Sequence, residues 1–173
     1  GAQVDVISVI GSCETSNELK LLLDKIKVST KYLITQNDRL ISKKSRIIAA
    51  HQQVVRYDRE SNDEISDQSQ KSIITSFTKL ITHYDVVLLS DYGKGVLTFK
   101  LTQSLIAIAN KNNKKVLVDP KGLDYSKYKG AYLLTPNKKE ASEATKINIT
   151  DNASLLKAIT KIKTECDLVV SII

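Results

Sequence analysis

A chain of 173 residues with 42% hydrophobic content can build one domain or a large part of one, and without an apolar run near the ~18 residues of a bilayer crossing it holds no membrane-spanning helix. Its net charge of +7 comes from scattered lysines, with 5% aromatics and no Trp, so the basic stripe with interleaved stacking rings that marks a nucleic-acid binder is missing. A mildly basic surface does suit small anions.

Residues 4–10 are mostly apolar and end at Gly11, which predicts a first strand. Leu19, Leu22, Leu23 and Ile26 then recur at helical spacing, with Ser16 as the expected cap and Glu18 in the first turn. A short strand is expected at 31–34. Residues 46–49 and 53–57 predict an antiparallel hairpin turning near Ala50-His51-Gln52, with Arg56 and Asp58 alternating against Val55 and Tyr57 to leave one wet face. The polar stretch 59–67 reads as a loop, and Ile73, Ile74, Phe77, Leu80 and Ile81 as the stripe of a second helix.

From there the pattern is regular. A strand at 86–89 leads to a Thr98-capped helix with Leu101, Leu105, Ile108 and Ala109 on one face. A strand at 115–118, a loop over 122–130 and a strand at 131–134 follow. A helix beginning at Pro136, another over 152–163 and a closing strand at 167–173 complete the chain. Strands alternating with helices predict an α/β fold: a mostly parallel sheet flanked by helices, with an antiparallel hairpin near 46–57. There is no repeat, low-complexity linker or evident domain boundary. Cys13 and Cys166 lie far apart and read as free thiols of a reducing cytoplasm, and no secretory signal is visible at the N-terminus.

Three polar islands follow three of these strands: Ser90-Asp91-Tyr92-Gly93-Lys94-Gly95, Asp119-Pro120-Lys121-Gly122 and Thr135-Pro136-Asn137-Lys138-Lys139-Glu140. The carboxyl ends of parallel strands are where open α/β sheets bind ligands. At the third island, Asn137 and Glu140 sit three residues apart at a helix start, where free N–H groups attract phosphate and a carboxylate reaches Mg²⁺ through phosphates and water. The plainer reading is a capped helix start. Asp91 and Lys94, or Asp119 and Lys121, can line a ligand crevice or form turns with surface ion pairs; the glycines allow positive φ or close approach. His51 and His83 lack companion ligands for zinc, and neither GxxxxGK[ST] nor GxGxxG occurs.

Taken in order, these islands resemble the ribokinase (PfkB) family of sugar kinases. The likeness rests on VVLLSDYGKGVL at 86–97, KVLVDPKGLDYSKYKGAYLLTPNKKEA at 115–141 and KSRIIAAHQQVVRYDRE at 44–60, and is strongest to the heptose-7-phosphate kinases within the family. It implies a ribokinase-like fold and ATP-dependent phosphorylation of D-glycero-β-D-manno-heptose 7-phosphate at its anomeric hydroxyl, in ADP-heptose and lipopolysaccharide core synthesis. Asn137, Lys138, Lys139 and Glu140 would serve ATP and Mg²⁺, Glu140 indirectly as the metal contact. Asp91, Lys94, Asp119 and Lys121 would line the phosphate-transfer crevice. ATP, Mg²⁺ and a sugar phosphate are the implied partners, and the hairpin is a candidate homodimer contact.

The chain departs from the family pattern in three places. A Gly-Gly-x-x-Asn-Val-Ala sugar-binding stretch would precede Gly1. The Gly-Ala-Gly-Asp anion hole and the aspartate base would follow Ile173. Gly11-Ser12-Cys13-Glu14 stands where Gly-x-Asp is usual. Residues 1–173 are therefore expected to be a partial kinase domain, inactive alone. Another PfkB-type kinase and a non-catalytic binding module are the alternatives.

Overall fold

Short β-branched runs separated by amphipathic stretches give, among the described residues 2–173 of the computed structural model, eight strands and five α-helices. They fall into two compact units: residues up to Ser76 with Lys94–Val96, and Phe77–Gly93 with Leu97–Ile173. The first break, between Ser76 and Phe77, falls inside a helix, and the others lie in the stretch 93–97.

In the first unit β1 (Ser8–Ile10) pairs in parallel with β2 (Leu33–Thr35), and α1 (Glu14–Lys25) connects them. The strand expected at 4–10 is thus only three residues long. Upstream, Asp5 makes an isolated bridge to Ser29, because the turn closed by Leu33 N–H on the Thr30 carbonyl interrupts the partner strand. The expected Ser16 cap is also corrected. Helix α1 starts earlier, with Cys13 in the cap position and Ser16 buried in its first turn, 3.5 Å from the Cys13 sulfur. Gly11 sets this sharp entry, since a Cβ there would stand 1.9 Å from the Arg39 carbonyl oxygen. Only part of the α1 stripe is covered; Leu22 and Ile26 face solvent beside Leu21.

β3 (Lys43–Ala49) and β4 (Gln52–Arg59) form the hairpin, longer than expected and joined by Ala50 and His51, both at positive φ (46° and 67°). Two such residues match the right-handed strand twist. A bulge shifts the register at Ile47/Ile48. Instead of one wet face the ribbon has two. Among the described residues no third strand joins it, and Ile47, Ile48, Val54, Val55 and Tyr57 are all exposed.

The following loop is pinned by a buried arginine. The Arg39 guanidinium donates to the Asp63 carbonyl at 3.0 Å and to the Lys94 carbonyl. Ile65 N–H donates to the Gly95 carbonyl at 3.0 Å. Gly95, at φ +74°, permits that approach, since a Cβ would stand 2.0 Å from the Asp63 oxygen. Ser66 then caps α2 (Asp67–Leu80) by accepting from Ser69 N–H.

In the second unit β5 (Val86–Ser90), β6 (Lys115–Asp119), β7 (Leu133–Leu134) and β8 (Val170–Ser171) make one parallel sheet in the order 5-6-7-8. The strands expected at 131–134 and 167–173 shorten to two residues each, the backbone pairing only where β6 and β7 offer partners. Helix α3 (Phe99–Lys111) packs on β6, capped as expected by Thr98, whose hydroxyl accepts from Leu101 N–H. Helix α5 (Asn152–Glu165) packs on β8 and on α4 (Lys138–Thr145). Leu89, Val116, Val118 and Leu134 bury one sheet face with Leu101, Leu105, Ala109 and Ile162, whereas Leu88 on the opposite face is 67% exposed.

Candidate functional site

Parallel pairing in sequential order places the ends of β5, β6 and β7 side by side. The three polar islands therefore emerge along one rim of the second unit. Asp91 N–H donates to the Asp119 carbonyl at 3.0 Å, which extends the β5–β6 ladder into both islands. Gly93, at φ +64°, lies against the aliphatic stem of Lys121, close enough that a Cβ would sit 3.3 Å from its Cγ. The Lys121 ammonium reaches the third island, 2.8 Å from Glu140 Oε1.

The third island is a helix start. Asn137 is the N-cap of α4 with extended backbone, its side chain accepting from Glu140 N–H at 3.0 Å, while Glu140 Oε2 accepts from Asn137 N–H at 3.1 Å. This is a reciprocal capping box. Pro136 was expected inside the first turn; it instead precedes the cap, buried, because Asn137 takes the extended position that begins the helix. Both carboxylate oxygens of Glu140 are engaged. Burial works to raise its carboxyl, but the bonds from Lys121 and the Asn137 amide together hold it below the usual carboxylate range. Lys121 is correspondingly pushed above the usual lysine range by its bond to Glu140, with the Asp119 carboxylate contributing. Lys138 and Lys139 are exposed on the first turn of α4, Lys139 facing Glu143 at 3.8 Å.

Asp91 is turned inward. Its carboxylate accepts from Gly93 N–H (2.7 Å), the Lys127 ammonium (2.6 Å) and the Tyr128 hydroxyl (2.7 Å), and the residue is buried. Lys94 belongs to the first unit, where its ammonium pairs with Glu60 and bonds Asn62 Oδ1 at 3.0 Å. The structure thus gathers Asp91, Asp119, Lys121, Asn137 and Glu140 along one rim, with Lys94 in a separate ion pair. Tyr128 and Lys127 were read only as loop residues. Nothing beyond their place in the family-like run at 115–141 signals them, because the partner that makes them matter, Asp91, lies far away in sequence.

A parallel sheet in sequential order flanked by helices, with a separate antiparallel ribbon, is the layout of a ribokinase-like α/β fold. Solved structures agree on the fold: phosphofructokinase-2 from Escherichia coli in its tetrameric inhibited form superposes with a TM-score of 0.73 at 18% identity, over 97% of this chain and 55% of that one. Arabidopsis thaliana ribokinase complexed with ribose and ATP gives 0.68 at 14%, over 93% and 52%. The pfkB family carbohydrate kinase profile matches residues 1–172, and the chain belongs to that family. It is 62% identical over 173 residues to the bifunctional protein HldE of Aliarcobacter butzleri and 55% identical to that of Sulfurimonas denitrificans, in each case covering 100% of this chain and 36% of the relative. The chain therefore spans about a third of these relatives' length.

Proposed function

We propose that this chain is part of an ATP-dependent kinase domain that phosphorylates the anomeric hydroxyl of D-glycero-β-D-manno-heptose 7-phosphate, in ADP-heptose and lipopolysaccharide core synthesis. The observation that carries the reading is the Lys121–Glu140–Asn137 constellation at the rim of the parallel sheet. Identity of 62% to an HldE protein supports the substrate class. Coverage of only 36% of that relative and the open sheet face at Leu88 support a domain completed by further sequence.

In this reading Lys121 faces a transferring phosphate and Asn137 fixes the helix start whose amides point toward it. Lys138 and Lys139 add positive charge near ATP, and Asp119 and Asp91 shape the crevice wall. Lys94 is the cation of the neighbouring loop. Among the described residues no group of three His, Cys, Asp or Glu could hold a metal by itself. Mg²⁺ would be carried mainly by ATP phosphates and water, with Glu140, whose two oxygens are engaged by Lys121 and the Asn137 amide, reaching it only indirectly, and would neutralise phosphate charge. The base is assigned to an aspartate beyond Ile173. The hairpin is proposed as the homodimer contact, supported by its exposed Ile47, Val55 and Tyr57, and the enzyme as cytoplasmic.

The test is ADP release with Mg²⁺, ATP and a panel of sugar phosphates, using the complete reading frame that contains this segment. Turnover with heptose 7-phosphate is expected. Preference for another sugar would replace the substrate, and failure to bind ATP with Mg²⁺ would remove the kinase assignment.

A further inference from the structure

Tyr128 is wholly buried in the loop after β6, yet it carries a hydroxyl. Such a group needs partners, and here it has two that matter. Its proton goes to Asp91 Oδ2 at 2.7 Å, a shorter and more basic acceptor than the Lys121 carbonyl at 3.2 Å. Its lone pair then accepts the Lys121 backbone N–H at 3.0 Å. Asp91 is itself fixed by Gly93 N–H and by the Lys127 ammonium, which also lies 5.0 Å from the Tyr128 ring centre. A continuous run of bonds thus leads from the end of β5 through Tyr128 to the Lys121 backbone. From there the Lys121 side chain continues to Glu140 at the start of α4. Burial foremost, with the adjoining Asp91 carboxylate, pushes the Tyr128 hydroxyl well above its ordinary value, so it stays protonated.

We propose that Tyr128, anchored by Asp91, is a positioning residue that holds the Lys121 backbone so that its ammonium is presented at the rim beside Glu140. Lys121 is half exposed, and a long side chain on a Gly-flanked loop would otherwise spread over many rotamers. A preset cation loses less freedom on meeting phosphate. The effect on turnover rests on the reading of Lys121 as a phosphate contact; the geometric part does not.

The experiment compares Tyr128→Phe, which keeps the buried ring, with Asp91→Asn as a second route, both in the complete reading frame. Hydrogen exchange at the Lys121 amide is expected to speed by about 10-fold in Tyr128→Phe, as for loss of one intramolecular hydrogen bond. In kinetics, Tyr128→Phe and Lys121→Ala each lower kcat/KM, and the double variant is no worse than Lys121→Ala, because Tyr128 acts through Lys121. Unchanged exchange at Lys121, or additive losses in the double variant, would overturn the proposal. Absence of turnover in the parent enzyme would remove the kinase reading while the exchange measurement still decides the relay.

Discussion

Lys121 and Glu140 are each other's counter-ion across the rim. An exposed pair of this kind contributes little to stability, so its chemical interest is the poised cation. Glu140 is the titrating partner. Its carboxyl is held below the unfolded value of about 4.3, so its support for the α4 start is present above that value. That support is lost as pH falls through the lower, folded value. A ¹³C titration of the Glu140 carboxyl should give a depressed midpoint that moves upward in Lys121→Ala; an unmoved midpoint would mean that the ion pair does not form in solution. The two cysteines form a second contrast. Burial pushes the Cys166 thiol up to about 11, whereas the Ser16 hydroxyl lowers that of half-buried Cys13. A thiol reagent near pH 8 should therefore modify one cysteine quickly and the second only on unfolding, and two fast equivalents would contradict the buried placement of Cys166.

Among the elements, α4 is short enough for its cap to decide whether it forms. Asn137→Ala should cost about 1 kcal/mol, measured by denaturant unfolding, because it leaves the Glu140 amide without its acceptor. A change within error would show that α4 is held by packing alone. The hairpin is the opposite case. Two strands by themselves are marginal in water, and exposed apolar edges invite pairing. Ile47→Lys with Val55→Lys should give a monomer by sedimentation if the proposed homodimer uses this ribbon, whereas an unchanged dimer would place the contact elsewhere.

These elements also show what the sequence could reveal. Thr98 before an apolar stripe, and β-branched or apolar runs ended by Ser90-Asp91 and Asp119-Pro120, signalled α3, β5 and β6 directly, since caps and periodicity are local physics. Residues 4–10 and 167–173 looked equally strand-like, but strand length depends on what the neighbour offers, and β2 and β7 offer little. The meeting of the three islands followed from the βαβ order. The inward turn of Asp91 did not, because it depends on Tyr128 and Lys127 in a loop 36 to 37 residues away. Nor did the shift of Pro136 to a place ahead of the cap, which only the backbone of Asn137 fixes.

At the scale of the molecule, the residues proposed for the site are divided between the two units. The second holds the rim with Lys121 and Glu140; the first holds Lys94 within a loop pinned by Arg39 and Gly95. The Leu88 side of the sheet and the Leu21–Leu22–Ile26 patch of α1 stand uncovered. On the proposed reading of a partial kinase domain, supplying the flanking sequence found in the relatives should raise both the unfolding midpoint and ADP production, the latter from a level near zero for these 173 residues alone. Full turnover by the segment alone would show that it already contains a base.

The strand order 5-6-7-8 has a consequence for how the second unit is made. Each new strand docks beside the one synthesised just before it, so no earlier piece must wait for a distant mate. Closing short connections one after another keeps the entropic cost of each step small. Assembly can thus proceed by accretion as the polypeptide leaves the ribosome, with the nascent sheet widening from its β5 edge.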